Sequence, residues 1–149
     1  RLTNNNIEFL STHPMAGKEK WGFAHSEASL FDSRPWIVVP HEKNREDSMK
    51  TITTWIKTLG AEPILLSPEK HDAQTALVSH LPALIARHLA QFVEKQDSDA
   101  LKIAGPCFHS TTRVARDNPQ MWKEIEAFNQ EEIGKHFTAW LKFIQEEKT

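Results

Sequence analysis

The apolar positions of this chain change rhythm once, near residue 67. Ahead of that point they come in short runs between polar stretches. Ile7-Glu8-Phe9-Leu10 reads as a short strand ending at Ser11-Thr12-His13-Pro14, and Trp36-Ile37-Val38-Val39 as a second strand stopped by Pro40. Between Asn44 and Leu59, Met49, Ile52, Ile56 and Leu59 recur at helical spacing. Glu46 and Asp47 stand near the start and Gly60 follows the end, as the helix dipole and capping favour. Pro63-Ile64-Leu65-Leu66 is a third strand. Strand, helix and strand in such close order are the tail of an α/β layer.

Beyond residue 67 the period is helical throughout. Ser67 is a good N-cap, Pro68 suits the first helical position, and Glu69 lies in the first turn. Ala73, Leu77, Leu81, Leu84, Ile85, Leu89 and Phe92 form a wide apolar stripe, interrupted by Pro82. That proline removes the hydrogen bond to the carbonyl of Val78 and predicts a distortion there. A short helix is expected over 100–104 and another within 110–116, before the stop at Asn118-Pro119. Met121, Trp122, Ile125, Phe128, Ile133, Phe137, Trp140, Leu141 and Ile144 then suit two successive helices with a break near Asn129. So much apolar surface on the last helices calls for a partner, in this chain or in a second copy. The fold class is therefore an α/β segment over residues 1–67, followed by a mainly helical part over 68–149.

Composition narrows this picture without naming a function. The 149 residues are 39% hydrophobic and 26% charged, which is globular. A net charge of -2 gives no electrostatic reason to expect nucleic acid or an anionic membrane as partner. No apolar run approaches the roughly 20 residues of a membrane span. Residues 1–6 lack the apolar core of a signal peptide. Cys107 stands alone, so no internal disulfide forms, and a cytoplasmic setting is expected. The chain opens on Arg rather than Met, which suggests truncation or processing.

Several residues carry chemistry, each with a bland reading beside the sharp one. His13 falls just past the carboxyl end of the first expected strand, where open α/β sheets place ligands. Its imidazole could accept a proton at neutral pH, or simply be a surface histidine. His80 lies on the apolar stripe, where a packed core histidine is the ordinary case. His71, His80 and His88 are spaced too widely for a metal-binding helix pair, so no metal is expected. Arg113, in Ser110-Thr111-Thr112-Arg113, offers a fork for a carboxylate or a solvated surface charge. Glu19 and Lys20 are equally suited to site or surface.

Together these strings resemble one family. His13-Pro14-Met15-Ala16-Gly17-Lys18-Glu19-Lys20 is similar to the histidine signature of prephenate and arogenate dehydrogenases. Leu30-Phe31 with Arg34-Pro35-Trp36, then Ser79-His80-Leu81-Pro82, then Phe108, Thr112-Arg113, Asn118-Pro119 and Trp122 follow in that family's order. The resemblance implies a Rossmann-type nucleotide domain ahead of a helical dimerisation domain. It implies NAD(P)-dependent oxidative decarboxylation of a cyclohexadienol, prephenate or arogenate, in tyrosine biosynthesis. It assigns proton acceptance to His13 and carboxylate binding to Arg113, with His80, Glu19 and Trp122 also at the substrate. It further implies a homodimer, with Trp122 contributing near its interface, and tyrosine as a possible effector.

The chain also departs from that pattern. It has five glycines and no Gly-x-Gly-x-x-Gly loop, so the main NAD or NADP cradle is absent and this piece alone is expected to be inactive. Ala83 replaces a common histidine, Gly105-Pro106-Cys107 a glycine-rich stretch, and Ser110 a common acid. A non-catalytic helical dimerisation or regulatory module is the rival reading. A different hydroxyacid dehydrogenase is a second, which the His-Pro-Met-Ala-Gly string opposes.

Overall fold

The computed structural model describes residues 7–18 and 22–147 and divides into two compact units, 1–71 and 72–149. The first unit is built on strands β1 (Ser11–Pro14), β2 (Pro35–Val39) and β3 (Glu62–Leu65), in the order β1-β2-β3. β2 runs antiparallel to β1 and parallel to β3, and helix α1 (Glu46–Thr58) makes the crossover between the parallel pair. β2 is the central strand, and Trp36, Ile37 and Val38 are all buried. Trp36 and Val38 pack with Ile56 and Ala61, while Phe31, Met49, Ile52 and Leu59 close the cluster. Burying a side chain such as Val38 or Ile56 fully stabilises by about 1.5–3 kcal/mol.

Gly60 ends α1 at φ +78, with Ala61 N–H reaching back to the carbonyl of Ile56, the wrap that left-handed glycine caps make. The positive φ is what calls for glycine there; a Cβ would meet the movable Asp32 carboxylate at 2.6 Å but Asp32 Cα only at an ordinary 3.5 Å.

The expected strand over residues 7–10 is a correction. Those residues are irregular, and the pairing begins at Ser11. The reason is Glu8. Its carboxylate accepts from the Arg45 backbone N–H (2.7 Å) and from Arg45 Nε (3.0 Å) and the Ser48 hydroxyl, at the start of α1. Asn44 Nδ2 donates to the carbonyl of Phe9 (2.9 Å), so this segment serves the helix rather than the sheet. The hydrogen bond from Ser48, then that from the Arg45 N–H, lowers the Glu8 pKa to about 2. A carboxylate with a depressed folded pKa stabilises above its ordinary value of 4.5, and the contribution is lost as pH falls through about 2. Glu8→Gln should therefore lower the urea midpoint clearly at pH 7, and the gap from wild type should close on acidification. Equal gaps in neutral and strongly acid solution would show that the charge is immaterial.

The second unit is helical. Helix α2 (Pro68–Thr75) enters it, Ala76–His80 winds as a wider π-helix, and α3 (Leu81–Gln96) follows. Ser67 caps α2 as expected, its hydroxyl accepting from Lys70 N–H at 3.3 Å. The π turn is the form the Pro82 distortion takes. Leu81 N–H reaches back to the carbonyl of Ala76, and the missing Pro82 N–H is absorbed in the widened turn. After a 3-10 stretch at Ser98–Ile103 come α4 (Pro106–Thr111), a 3-10 turn at Arg113–Arg116, α5 (Pro119–Phe128) and α6 (Gln130–Glu146). The break between the last two falls at Asn129, as the periodicity predicted. Asn118 caps α5 through Gln120 N–H at 2.9 Å, with Pro119 in the first helical position. Among the described residues no helix is long and apolar enough to cross a membrane.

Candidate functional site

Each unit holds one constellation of chemically capable side chains. In the first unit, His13 lies within β1 rather than beyond a strand end, which corrects the sequence placement. Its register partner is Ile37, itself opposite Ile64. Residues paired directly across strands share a face. His13 therefore stands on the face opposite the Trp36–Val38–Ile56 core. Pro14 follows at no cost to the sheet, since β1 is an edge strand here. Met15 N–H still pairs with the carbonyl of Pro35 at 2.8 Å, which fixes the chain on both sides of the imidazole.

His71, on the second turn of α2, meets that imidazole. His13 Nδ1 lies 2.9 Å from His71 Nε2, with the rings tilted and their centroids 5.2 Å apart. His13 is half-buried. Burial lowers its pKa below the ordinary 6.5, and the nearby charge that His71 acquires on protonation lowers it further. A histidine so placed is neutral at neutral pH and holds a basic nitrogen. Space is open at Gly17, where a Cβ would meet nothing within 4 Å. Lys18 is ion-paired with Glu27. Glu19, the other candidate on this signature, lies outside the described residues.

In the second unit the structure brings His80 and Trp122 together. His80 closes the π turn, and Trp122 meets it edge-on at 6.3 Å. Asn129 Nδ2 lies 3.4 Å from His80 Nδ1 and also donates to the carbonyl of Asp72 at 2.8 Å. Arg87 lies over the Trp122 ring at 5.4 Å and is ion-paired with Glu126. Trp122 is thus buried inside the helical unit of a single chain. Its Nε1 and Arg87 Nε are both buried without a hydrogen-bond acceptor among the described residues. Arg113 opens its 3-10 turn with an exposed side chain. The preceding Thr112 is buried, its hydroxyl donating to the carbonyl of Phe108 at 2.8 Å.

His71 as the partner of His13, Asn129 as that of His80, and the Arg87–Glu126 pair carried no individual signal in the sequence. No group of three or more potential metal ligands converges among the described residues. The amino end of α1 is not free to hold a pyrophosphate. The amino end of α1, which follows a parallel strand as phosphate-binding helices do, already receives the Glu8 carboxylate and carries Glu46 and Asp47 in its first turn. A pyrophosphate there would meet carboxylates instead of free N–H groups.

Two family descriptions match the chain. Residues 67–149 match the dimerization domain of prephenate dehydrogenase, and residues 1–65 match its nucleotide-binding domain. Prephenate dehydrogenase of Bacillus subtilis is 30% identical over 97% of this chain and 40% of its own length. Cyclohexadienyl dehydrogenase of Zymomonas mobilis is 32% identical over 94% of this chain and 50% of its own. The crystal structure of prephenate dehydrogenase from A. aeolicus, in complex with hydroxyphenyl propionate and NAD+, superposes with a TM-score of 0.87 at 30% identity. It covers 94% of this chain and 50% of that one. Synechocystis arogenate dehydrogenase gives a TM-score of 0.76 at 27% identity, covering 93% and 51%. The chain thus spans about half the length of these relatives, or less.

Proposed function

The chain belongs to the prephenate dehydrogenase family, and from that premise we propose that it supplies the substrate side of an oxidative decarboxylation of prephenate or arogenate. The observation that carries this reading is His13, a half-buried imidazole kept neutral by its surroundings and held rigidly in a strand. In such a reaction the carbon bearing the ring hydroxyl loses hydride. Its oxygen becomes carbonyl-like and its proton acidic. A neutral imidazole takes that proton. The ring carboxylate leaves as carbon dioxide, its bonding electrons complete the aromatic ring as a phenolate, and the imidazolium returns the proton to that oxygen.

The family's oxidant is a nicotinamide, NAD or NADP. With no Gly-x-Gly-x-x-Gly loop in the sequence, the part we assign to these residues is to orient the substrate and hold its proton. Arg113 anchors a substrate carboxylate, as a guanidinium fork does. His80 offers a substrate contact from the π turn, where helices commonly depart from regularity at functional sites. Trp122 acts through His80, on which its ring rests, and Glu19 through its place on the histidine signature. In domain terms, residues 1–67 are the end of the nucleotide-binding domain and 68–149 the dimerisation and substrate domain.

Two copies of the helical domain pair in this reading. Val78, Phe92, Phe128 and Phe143 are exposed in one chain, with Phe128 at 90%, and a second copy would cover such surface. Tyrosine, which shares the product's phenol ring, is the natural effector to examine. A cytoplasmic setting fits the lone, exposed Cys107.

The test takes the whole enzyme that contains this sequence, with prephenate or arogenate and either nucleotide. Reduction of nucleotide with release of carbon dioxide is expected. The 149-residue chain alone should show no saturable binding of NAD+ or NADP+ in the micromolar range by calorimetry. An enzyme that consumes neither substrate yet still dimerises would leave a helical pairing module in place of this proposal.

A further inference from the structure

The contact between His13 and His71 has a direction, and that direction decides which nitrogen of His13 is basic. The nitrogens in contact are His13 Nδ1 and His71 Nε2, at 2.9 Å. Two neutral imidazoles at that distance share one proton, donated by one ring and accepted by the other. With Nδ1 occupied by His71, the nitrogen left to meet a substrate is Nε2. A base needs a lone pair there. The proton of neutral His13 must then sit on Nδ1 and be donated to His71 Nε2, while His71 carries its own proton on Nδ1.

We propose that His71 is a positioning residue for His13, accepting from its Nδ1–H and so locking it in the tautomer whose Nε2 is the proton acceptor. The inference rests on the reading of His13 as the base, and it adds a residue that the sequence pattern did not single out for this purpose. The fold suits the task. β1 is pinned to β2 on both sides of His13, and His71 sits a turn beyond the Ser67 cap, its backbone N–H bonded to the carbonyl of Ser67 at 2.9 Å. Both rings are therefore carried on regular backbone. When Nε2 takes the substrate proton, the resulting imidazolium still donates from Nδ1 to His71. The acceptor then faces a full charge and the hydrogen bond strengthens. While His71 is neutral, this bond favours the state that forms as the hydroxyl loses its proton; only a protonated His71 opposes it.

The experiment reads the tautomer directly. Long-range proton–nitrogen correlation spectra of the 149-residue chain, above the titration range of histidine, separate the Nδ1–H and Nε2–H forms. His13 is assigned among the eight histidines by its loss in His13→Gln. The Nδ1–H form is expected; a predominant Nε2–H form overturns the proposal, whatever the kinetics say. In the whole enzyme, His71→Leu should lower kcat by about 10- to 100-fold, the range of lost supporting hydrogen bonds to functional histidines, with KM little changed. His71→Gln, whose amide oxygen can accept from Nδ1–H, should recover most of that loss. Equal loss in both variants would reduce His71 to packing. Failure of the base reading looks different: His13→Gln would keep its turnover even where the wild-type chain shows the Nδ1–H tautomer.

Discussion

His13→Asn is expected to lower turnover of the whole enzyme by about 100- to 10,000-fold, the usual worth of a positioned general base. The effect should fall on kcat, because the imidazole's hydrogen bond gains most as the substrate oxygen turns carbonyl-like. Asparagine keeps a polar group of similar reach near His71 but has no nitrogen that takes up a proton at neutral pH. The acid limb of the wild-type profile should lie below the ordinary histidine value of 6.5, since burial, then the His71 charge, lowers the His13 pKa. The base form then predominates at pH 7, and activity fades only as pH drops through that lowered value. Stability follows the same sign. Below pH 6.5 the unfolded chain protonates His13 more readily than the folded one, so folding weakens as pH falls. The His13→Asn chain should lose that part of the acid sensitivity. Steady-state rates across pH decide the matter, and a variant within about threefold of wild-type turnover would remove His13 from the chemistry.

How much of this was legible in the sequence depends on the range of the interaction concerned. Trp36 to Val39, the helix around Ile52 and Ile56, and the break at Asn129 were readable because local periodicity and capping specify them. Pro82 announced its distortion, though not that the chain would answer with a π turn over Ala76–His80. The first strand was displaced because Ile7 and Phe9 look apolar. Yet both are exposed, and the decisive residue is Glu8, whose partners lie near residue 45. His13 was legible as a candidate from its motif, but its partner was not. His71 stands 58 residues away, and no spacing rule joins an edge strand to the helix after a crossover. Trp122 was read as lying towards a second subunit. Within one chain its ring rests on His80 and beneath Arg87, a tertiary arrangement that helical periodicity does not reveal.

Arg113→Ala is expected to raise KM for prephenate or arogenate by about 10- to 100-fold, which corresponds to roughly 1.4–2.8 kcal/mol of lost binding. A carboxylate clamp acts in the ground state as well as at the transition state, so kcat should change much less. The local structure fixes the backbone from which Arg113 projects. Pro106 starts α4, the buried Thr112 hydroxyl is tied to the carbonyl of Phe108, and Arg113 opens the next turn directly from that anchor with its side chain outward. Arg113→Lys should fall between wild type and alanine: it keeps the charge but loses the planar fork that grips both carboxylate oxygens. The salt dependence of KM should weaken in the alanine variant, because one attractive charge has gone. Steady-state kinetics with all three proteins at matched ionic strength provide the check. An unchanged KM in Arg113→Ala would return Arg113 to the solvated surface, and the substrate's carboxylate would need another cation.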